Sequence, residues 1–164
     1  DILGGHTTIA MIGASANTNR PSYFAMKYLL GKGYAVHPVN PGLAGQEILG
    51  RTVYGALKDV PAPVEIVDIF RNSEAALEVT REAIGLKDQL GIKVIWMQLG
   101  VRNEMAAQEA EAAGLKVVMN RCPKIEYGRL SGEIGWAGVN SGLISSQRPR
   151  LSPTGVQNHL IAKR

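Results

Sequence analysis

Cysteine is almost absent from this chain. There is one in 164 residues, Cys122, so an internal disulfide is excluded. Aromatic residues are scarce as well, with two phenylalanines and 5% aromatics in total, so the core must be built from aliphatic side chains. No apolar run approaches the roughly 20 residues that a membrane-spanning helix needs, and no export signal is recognisable, so a cytoplasmic setting without a membrane partner is expected. The chain opens at Asp1 rather than methionine, which leaves room for a segment ahead of this numbering. Its three histidines, His6, His37 and His159, are too scattered for a metal site, and none stands in an acid–base or nucleophile constellation. Strong charge is missing too. The net charge of +4 lies partly in the segment Arg148 to Arg164, which suits a small anionic ligand better than nucleic acid.

What is present is a chain that is 45% hydrophobic, with nineteen glycines, long enough for one globular core. Short apolar runs alternate with amphipathic ones. Thr8–Ile12, Ala35–Val39, Ile66–Phe70, Val94–Met97 and Val117–Met119 read as strands, each closed by polar or turn residues. Ser22–Lys32, Ser73–Leu90 and Asn103–Ala113 read as helices. The second is predicted to start with Ser73 as its N-cap and to bury Ala76, Leu77, Thr80, Ala83 and Ile84; the third is predicted to stop at Gly114. Between the second and third strands, the Gly- and Pro-rich stretch from Pro41 to Pro63 predicts a loop with a short strand near Thr52-Val53-Tyr54 and a helical turn at Ala56–Asp59. Trp136 and Asn140-Ser141-Gly142-Leu143 are expected to pack back on the sheet. The alternation predicts an α/β fold of three layers, with a mostly parallel sheet of about five to six strands, right-handed crossovers and helices on both faces.

In such a sheet, ligands bind outside the carboxyl ends of the strands. Those ends carry Gly13-Ala14-Ser15, Asn40-Pro41, Phe70-Arg71-Asn72, Gln98-Leu99-Gly100 and Asn120-Arg121-Cys122-Pro123. The first set turns from a buried strand toward a helix, a geometry in which backbone N–H groups and the positive end of the helix dipole receive phosphate. The full dinucleotide fingerprint G-x-G-x-x-G fails, because Ser15 and Thr18 stand where it needs glycine. No strand end carries a carboxylate. Asn40 takes the place of the acid that would grip the adenosine ribose of NAD, whereas Arg20 and Arg71, with Lys124 behind them, suit a phosphorylated ribose. Each arginine also has a plainer reading, Arg20 as a solvated loop residue and Arg71 as a partner of Glu74 or Glu78 on the following helix.

Ile12-Gly13-Ala14-Ser15 with Arg20-Pro21-Ser22, Val39-Asn40-Pro41 with Gly45-Gln46-Glu47-Ile48-Leu49-Gly50, Val67-Asp68-Ile69-Phe70-Arg71, and Trp96-Met97-Gln98-Leu99-Gly100 occur in this order. Together they resemble the small stand-alone CoA-binding proteins, which are similar in turn to the N-terminal domain of the succinyl-CoA synthetase α subunit. The resemblance covers Thr8 to Cys122 and implies a Rossmann-like fold that holds CoA or an acyl-CoA as its small-molecule partner. It places Gly13, Ala14, Ser15 and Arg20 on the phosphates and Asn40 and Pro41 on the adenine and ribose side. Phe70 and Arg71 would flank the pantetheine path, with Gln98 and Gly100 at its thiol end. It implies one CoA-binding domain over residues 1–149 and a tail over 150–164, in a chain that binds without a complete catalytic centre of its own, because the phosphohistidine domain of the ligase family is missing from it.

Two other classes stay open at this point. The alternatives to a non-catalytic CoA-binding protein are the CoA-binding component of a two-part ligase or transferase and an NAD(H)-sensing module. Cys122, with Arg121 and Lys124 beside it, offers a mixed disulfide to the CoA thiol, against a plain role as a small buried residue. Trp96 reads as a core aromatic. Size and tail also leave room for a homodimer.

Overall fold

The computed structural model describes residues 5–121. Cys122, Pro123, Lys124, Trp136, residues 140–143, His159, the 150–164 tail and the last part of the expected 1–149 domain lie outside these residues.

The chain runs β1 (Thr8–Ile12), α1 (Pro21–Gly31), β2 (Ala35–Val39), β3 (Glu47–Ile48), β4 (Arg51–Thr52), β5 (Ile66–Ile69), α2 (Ser73–Leu90), β6 (Val94–Met97), α3 (Glu104–Ala112) and β7 (Lys116–Val118). Five strands form one parallel sheet in the order β2-β1-β5-β6-β7, and β3 with β4 makes a separate antiparallel pair. From β1 the chain crosses to β2 in one direction, and from β5 it steps through β6 to β7 in the other. With right-handed crossovers, α1 therefore lies on one face and α2 and α3 on the opposite face. The order reverses between β1 and β5, which makes their carboxyl ends the place for a ligand.

Alternation along the strands divides the side chains between the faces. Ala10, Ile12, Val67, Ile69, Ile95 and Met97 join Ala76, Ala83, Ala106 and Ala110 of α2 and α3 in one aliphatic core. Residues of opposite parity, including Ile9, Met11, Ile66 and Trp96, are equally sealed. Burial of each large aliphatic side chain contributes up to about 2 kcal/mol, which is why strands of four or five residues suffice. No helix among the described residues is long and apolar enough to cross a membrane.

Local chemistry sets the helix ends. Pro21 opens α1 at a position where its missing N–H costs nothing. The N-cap of α2 is Asn72 rather than the predicted Ser73: Asn72 Oδ1 accepts from Ala75 N at 2.7 Å. Ser73 is drawn into a tertiary contact instead, with its Oγ accepting from Arg102 N at 3.0 Å and its carbonyl from Asn103 Nδ2 at 2.9 Å. Asn103 caps α3 through Ala106 N, so one side chain starts that helix and ties it to α2. Across the same pair, Arg81 donates to both carboxylate oxygens of Glu109 at 2.9 and 2.8 Å.

The predicted irregular stretch folds back on the edge strand. Tyr54 bridges Val39 in parallel, donating its N–H to Pro38 O and accepting from Asn40 N, both at 2.9 Å. The sheet edge at β2 is thereby covered, and the 3-10 turn Leu57–Asp59 is carried toward the carboxyl end of the sheet.

Candidate functional site

At the reversal point, Gly13 takes φ +85° directly after β1. A Cβ there would stand 2.5 Å from Phe70 O and 3.1 Å from Arg71 Cδ. Only glycine lets the two strand ends come this close, with Phe70 N donating to Ile12 O at 2.8 Å and the stem of Arg71 lying against the Gly13 backbone. The contact also explains why a single glycine matters in a loop that lacks the dinucleotide fingerprint.

A groove of about 430 Å³ opens at this point, large enough for a substantial part of a nucleotide. Gly13, Asn40, Pro41, Phe70 and Arg71 line it, together with Ile12 and Val39 at its floor. Sequence reasoning missed five further lining residues, Gly55, Ala56, Leu57, Val79 and Glu82. The first three arrive on the segment that Tyr54 pins to β2, and Val79 and Glu82 come from α2. The strand ends bring no carboxylate, as expected, but the helix does.

The loop after β1 is tied down more tightly than its sequence suggests. Val39 O accepts from Gly13 N at 2.9 Å and from Ala14 N at 3.3 Å, so these two N–H groups already have an acceptor within the fold. Asn40 is used at both ends of its amide: Nδ2 donates to Ala14 O at 2.8 Å, and Oδ1 accepts from Gly42 N at 2.9 Å. It staples the β1 loop to the β2 end while its edge faces the groove. Ser15 Oγ accepts from Asn17 N, and Asn17 Oδ1 from Asn19 N, which shapes the approach to α1. The N–H groups of Ser15 and Ala16 find no acceptor among the described residues. Arg20 is exposed at the N-cap of α1, and neither it nor Arg71 enters an ion pair among the described residues, so the expected alternative pairing of Arg71 with Glu74 or Glu78 is not formed.

Ala14, Ser15 and Arg20 lie beyond the groove's lining, as do Gln98 and Gly100. Gly100 is exposed and donates its N–H to Asn120 Oδ1 at 2.7 Å. Gln98 is buried. Its N–H reaches Ile69 O at 3.3 Å, and its Nε2 donates to Asp68 Oδ1 at 2.6 Å. Asp68 is a second residue that sequence reasoning passed over: it is fully buried, its Oδ2 has no partner, and burial pushes its carboxyl up to about 7 despite the opposing Gln98 hydrogen bond. The signal was there in Ile66-Val67-Asp68-Ile69-Phe70, an acid inside an otherwise apolar strand.

The histidines stay apart. His6 Nδ1 pairs with Glu65 Oε2 at 2.9 Å just ahead of β1, and His37 packs edge-on to Tyr54, its pKa lowered first by burial and then by Arg51. No cluster of metal-ligating side chains forms among the described residues. Trp96 is buried and donates Nε1–H to Arg121 O at 2.8 Å, as a core aromatic would.

Known proteins share both the sequence and the architecture. The Bacillus subtilis (strain 168) protein YneT is 33% identical over 127 residues, covering 77% of this chain and 90% of that protein. A Pyrococcus horikoshii OT3 protein of solved structure is 40% identical and superposes with a TM-score of 0.74, over 80% of this chain and 88% of its own. The acetyl-coenzyme A synthetase 1 of Ca. Korarchaeum cryptofilum, solved with phosphate and ADP, matches 70% of this chain with 26% of its own length, at 24% identity and a TM-score of 0.59, a likeness of fold alone. Residues 7–128 match the family described as CoA binding domain, which spans most of the chain and contains the whole strand-end groove, and the protein belongs to that family.

Proposed function

We propose that this protein binds CoA or an acyl-CoA across the carboxyl ends of its parallel strands and serves as a holder of that ligand rather than as a complete enzyme. The observation that carries the reading is the groove at the β1–β5 reversal, where Gly13, Asn40, Pro41, Phe70 and Arg71 converge from three strand ends. Its size suits the nucleotide half of CoA. Arg71 and the exposed Arg20 supply charge for phosphates, with the N–H groups of Ser15 and Ala16 at the α1 approach. Ala14 is the buried small residue that keeps this loop close to the sheet. Phe70 starts the apolar path of the pantetheine arm, and Gln98 and Gly100 border its far end. Neither described histidine lies in the groove.

Glu82 favours one competing reading, because a carboxylate facing an adenosine ribose also suits NAD. Calorimetric titration with CoA, dephospho-CoA and NADH separates the two. CoA is expected to bind most tightly, with affinity falling when the 3′-phosphate is removed. Binding of NADH at least as tight as that of CoA overturns the proposal, as does failure of CoA to bind at about millimolar concentration.

A further inference from the structure

Three polar side chains line the groove: Asn40, Arg71 and Glu82. Asn40 is spent at both ends of its amide, on Ala14 O and Gly42 N. Arg71 can only donate, which leaves Glu82 as the side-chain acceptor open to a ligand. Glu82 is exposed, and no hydrogen bond or ion pair engages it among the described residues. The nearby cations of its own helix are turned toward α3: Arg81 holds Glu109, and Lys87 Nζ donates to Ala113 O at 2.6 Å.

Arg71 and Glu82 stand at different depths. Because α2 connects the parallel strands β5 and β6, it runs back from the carboxyl rim toward the amino end of the sheet. The rise from Ser73 to Glu82 is about 13 Å along the helix axis, whereas Arg71 precedes the helix at the rim. Leu57 and Val79, both part of the aliphatic core, supply apolar lining from the two sides. A groove with a cation at the rim, apolar walls and an acceptor at depth fits a nucleotide in one direction: phosphates at Arg71, the flat base against the apolar walls, the donor edge of the base at Glu82. The reverse direction sets phosphate against a carboxylate. A ribose that bears the 3′-phosphate is kept from Glu82 for the same reason, so on the CoA reading this side chain faces the base.

We propose that Glu82 is a specificity-determining residue that accepts a hydrogen bond from the exocyclic amine of the CoA adenine, and that with Arg71 it sets the direction in which the nucleotide lies. The proposal rests on the CoA reading above. It gives Glu82 a role other than gripping an unphosphorylated ribose, and it places base recognition on a helix face rather than on the strand ends. An adenine amine donates to this carboxylate, whereas a base whose amine is blocked offers it nothing.

The test compares CoA with etheno-CoA, in which a two-carbon bridge closes the adenine amine into a ring and leaves it no N–H. Dissociation constants for both are measured by calorimetry on the full chain and on its Glu82→Met variant, which keeps the length of the side chain and removes the acceptor. The wild type is expected to favour CoA by about tenfold, the worth of one hydrogen bond to a carboxylate. Glu82→Met is expected to bring the ratio to about unity. Its thermal unfolding should stay nearly that of the wild type, because Glu82 is exposed and has no partner among the described residues. The proposal falls if the wild type binds both ligands equally. It falls too if Glu82→Met keeps the tenfold preference, since a clash with the added ring, or a contact of Glu82 with the ribose, would leave the ratio as it was. In both cases the CoA reading stands, while absence of CoA binding to the wild type removes both.

Discussion

Two carboxyls at opposite ends of the same strand have opposite surroundings. Glu65, just ahead of β5, accepts from Thr7 N at 3.0 Å, Thr7 Oγ1 at 3.5 Å, Thr8 Oγ1 at 3.1 Å and the His6 ring at 2.9 Å. Those bonds, led by the Thr7 N–H, bring its pKa down to about 2. Asp68, near the other end, has one partner and is pushed up to about 7 by burial. The amino end of the sheet is thus closed by saturated polar contacts that serve the fold. At the carboxyl end, hydrogen-bonding capacity is left unspent on Asp68, Gln98, Ser15 and Ala16, and that is the end where the groove opens. Each prediction below tests this division.

The largest effect is expected from Asp68. Its folded pKa of about 7 exceeds its ordinary 3.8, so between those values the folded state holds a proton that the unfolded state has lost. Its contribution is therefore fully present below about pH 4 and is lost as pH rises through about 7, a span on the order of 4 kcal/mol as a ceiling. Asp68→Asn, which cannot ionise, should be more stable than the wild type at about pH 8, with the gap closing toward about pH 4. Urea unfolding across that range measures it. Parallel curves for the two proteins would mean that the Asp68 carboxyl is solvated and that the two ends of β5 do not differ as described.

Next comes Gly13→Ala. The added Cβ meets Phe70 O at 2.5 Å on a backbone with φ +85°, where neither atom can give way without moving a strand end. The expected loss is about 3 kcal/mol, with CoA binding impaired beyond what unfolding explains, because Arg71 is displaced as well. Gly33→Ala is the matched control: it has φ +92° but nothing within 4 Å of the new Cβ. It should cost about 1 kcal/mol and spare the ligand. Equal losses in the two variants would remove the argument for close approach at Gly13.

How far the sequence could lead follows the same division. Strands Thr8–Ile12, Ala35–Val39 and Val94–Met97 and the helix Ser73–Leu90 fall where the apolar patterning puts them, because a run of buried residues closed by turn residues has few other solutions. Ends settled by tertiary contacts were not legible. Ser73 looked like a cap, but Arg102 and Asn103, distant in sequence, claim its polar groups. In the groove, the strand-end rule reached Gly13, Asn40, Pro41, Phe70 and Arg71. It could not reach Gly55, Ala56 and Leu57, whose place depends on the Tyr54 bridge, or Glu82, which arrives from a helix face. Nor does anything local show that Val39 O takes the N–H groups of both Gly13 and Ala14.

Arg71→Ala is expected to act on the ligand more than on the fold. Its guanidinium makes no ion pair among the described residues, so its removal should leave thermal unfolding nearly unchanged. CoA affinity should fall by about tenfold, the worth of a charge-assisted contact to phosphate. A variant that loses stability but keeps its CoA affinity would move Arg71 from the ligand side of the comparison to the structural side.

The smallest effect belongs to Glu65, and it closes the comparison from the other end. Its folded pKa of about 2 lies below the ordinary 4.5, so its contribution is present above about pH 4.5 and is lost as pH falls through about 2. The group is partly exposed, and after solvent screening about 1 kcal/mol remains. Glu65→Gln keeps one amide oxygen for the Thr7 N–H but loses the charge that holds His6. It should therefore show slightly reduced stability at neutral pH and a flatter acid limb in urea unfolding between about pH 5 and pH 2. CoA affinity should not change, because every contact of this side chain lies at the amino end of the sheet, a strand's length from Gly13 and Phe70. If this substitution does weaken CoA binding, the amino end is coupled to the groove through β1 and β5, and saturated polar contacts cease to mark the end that serves the fold alone.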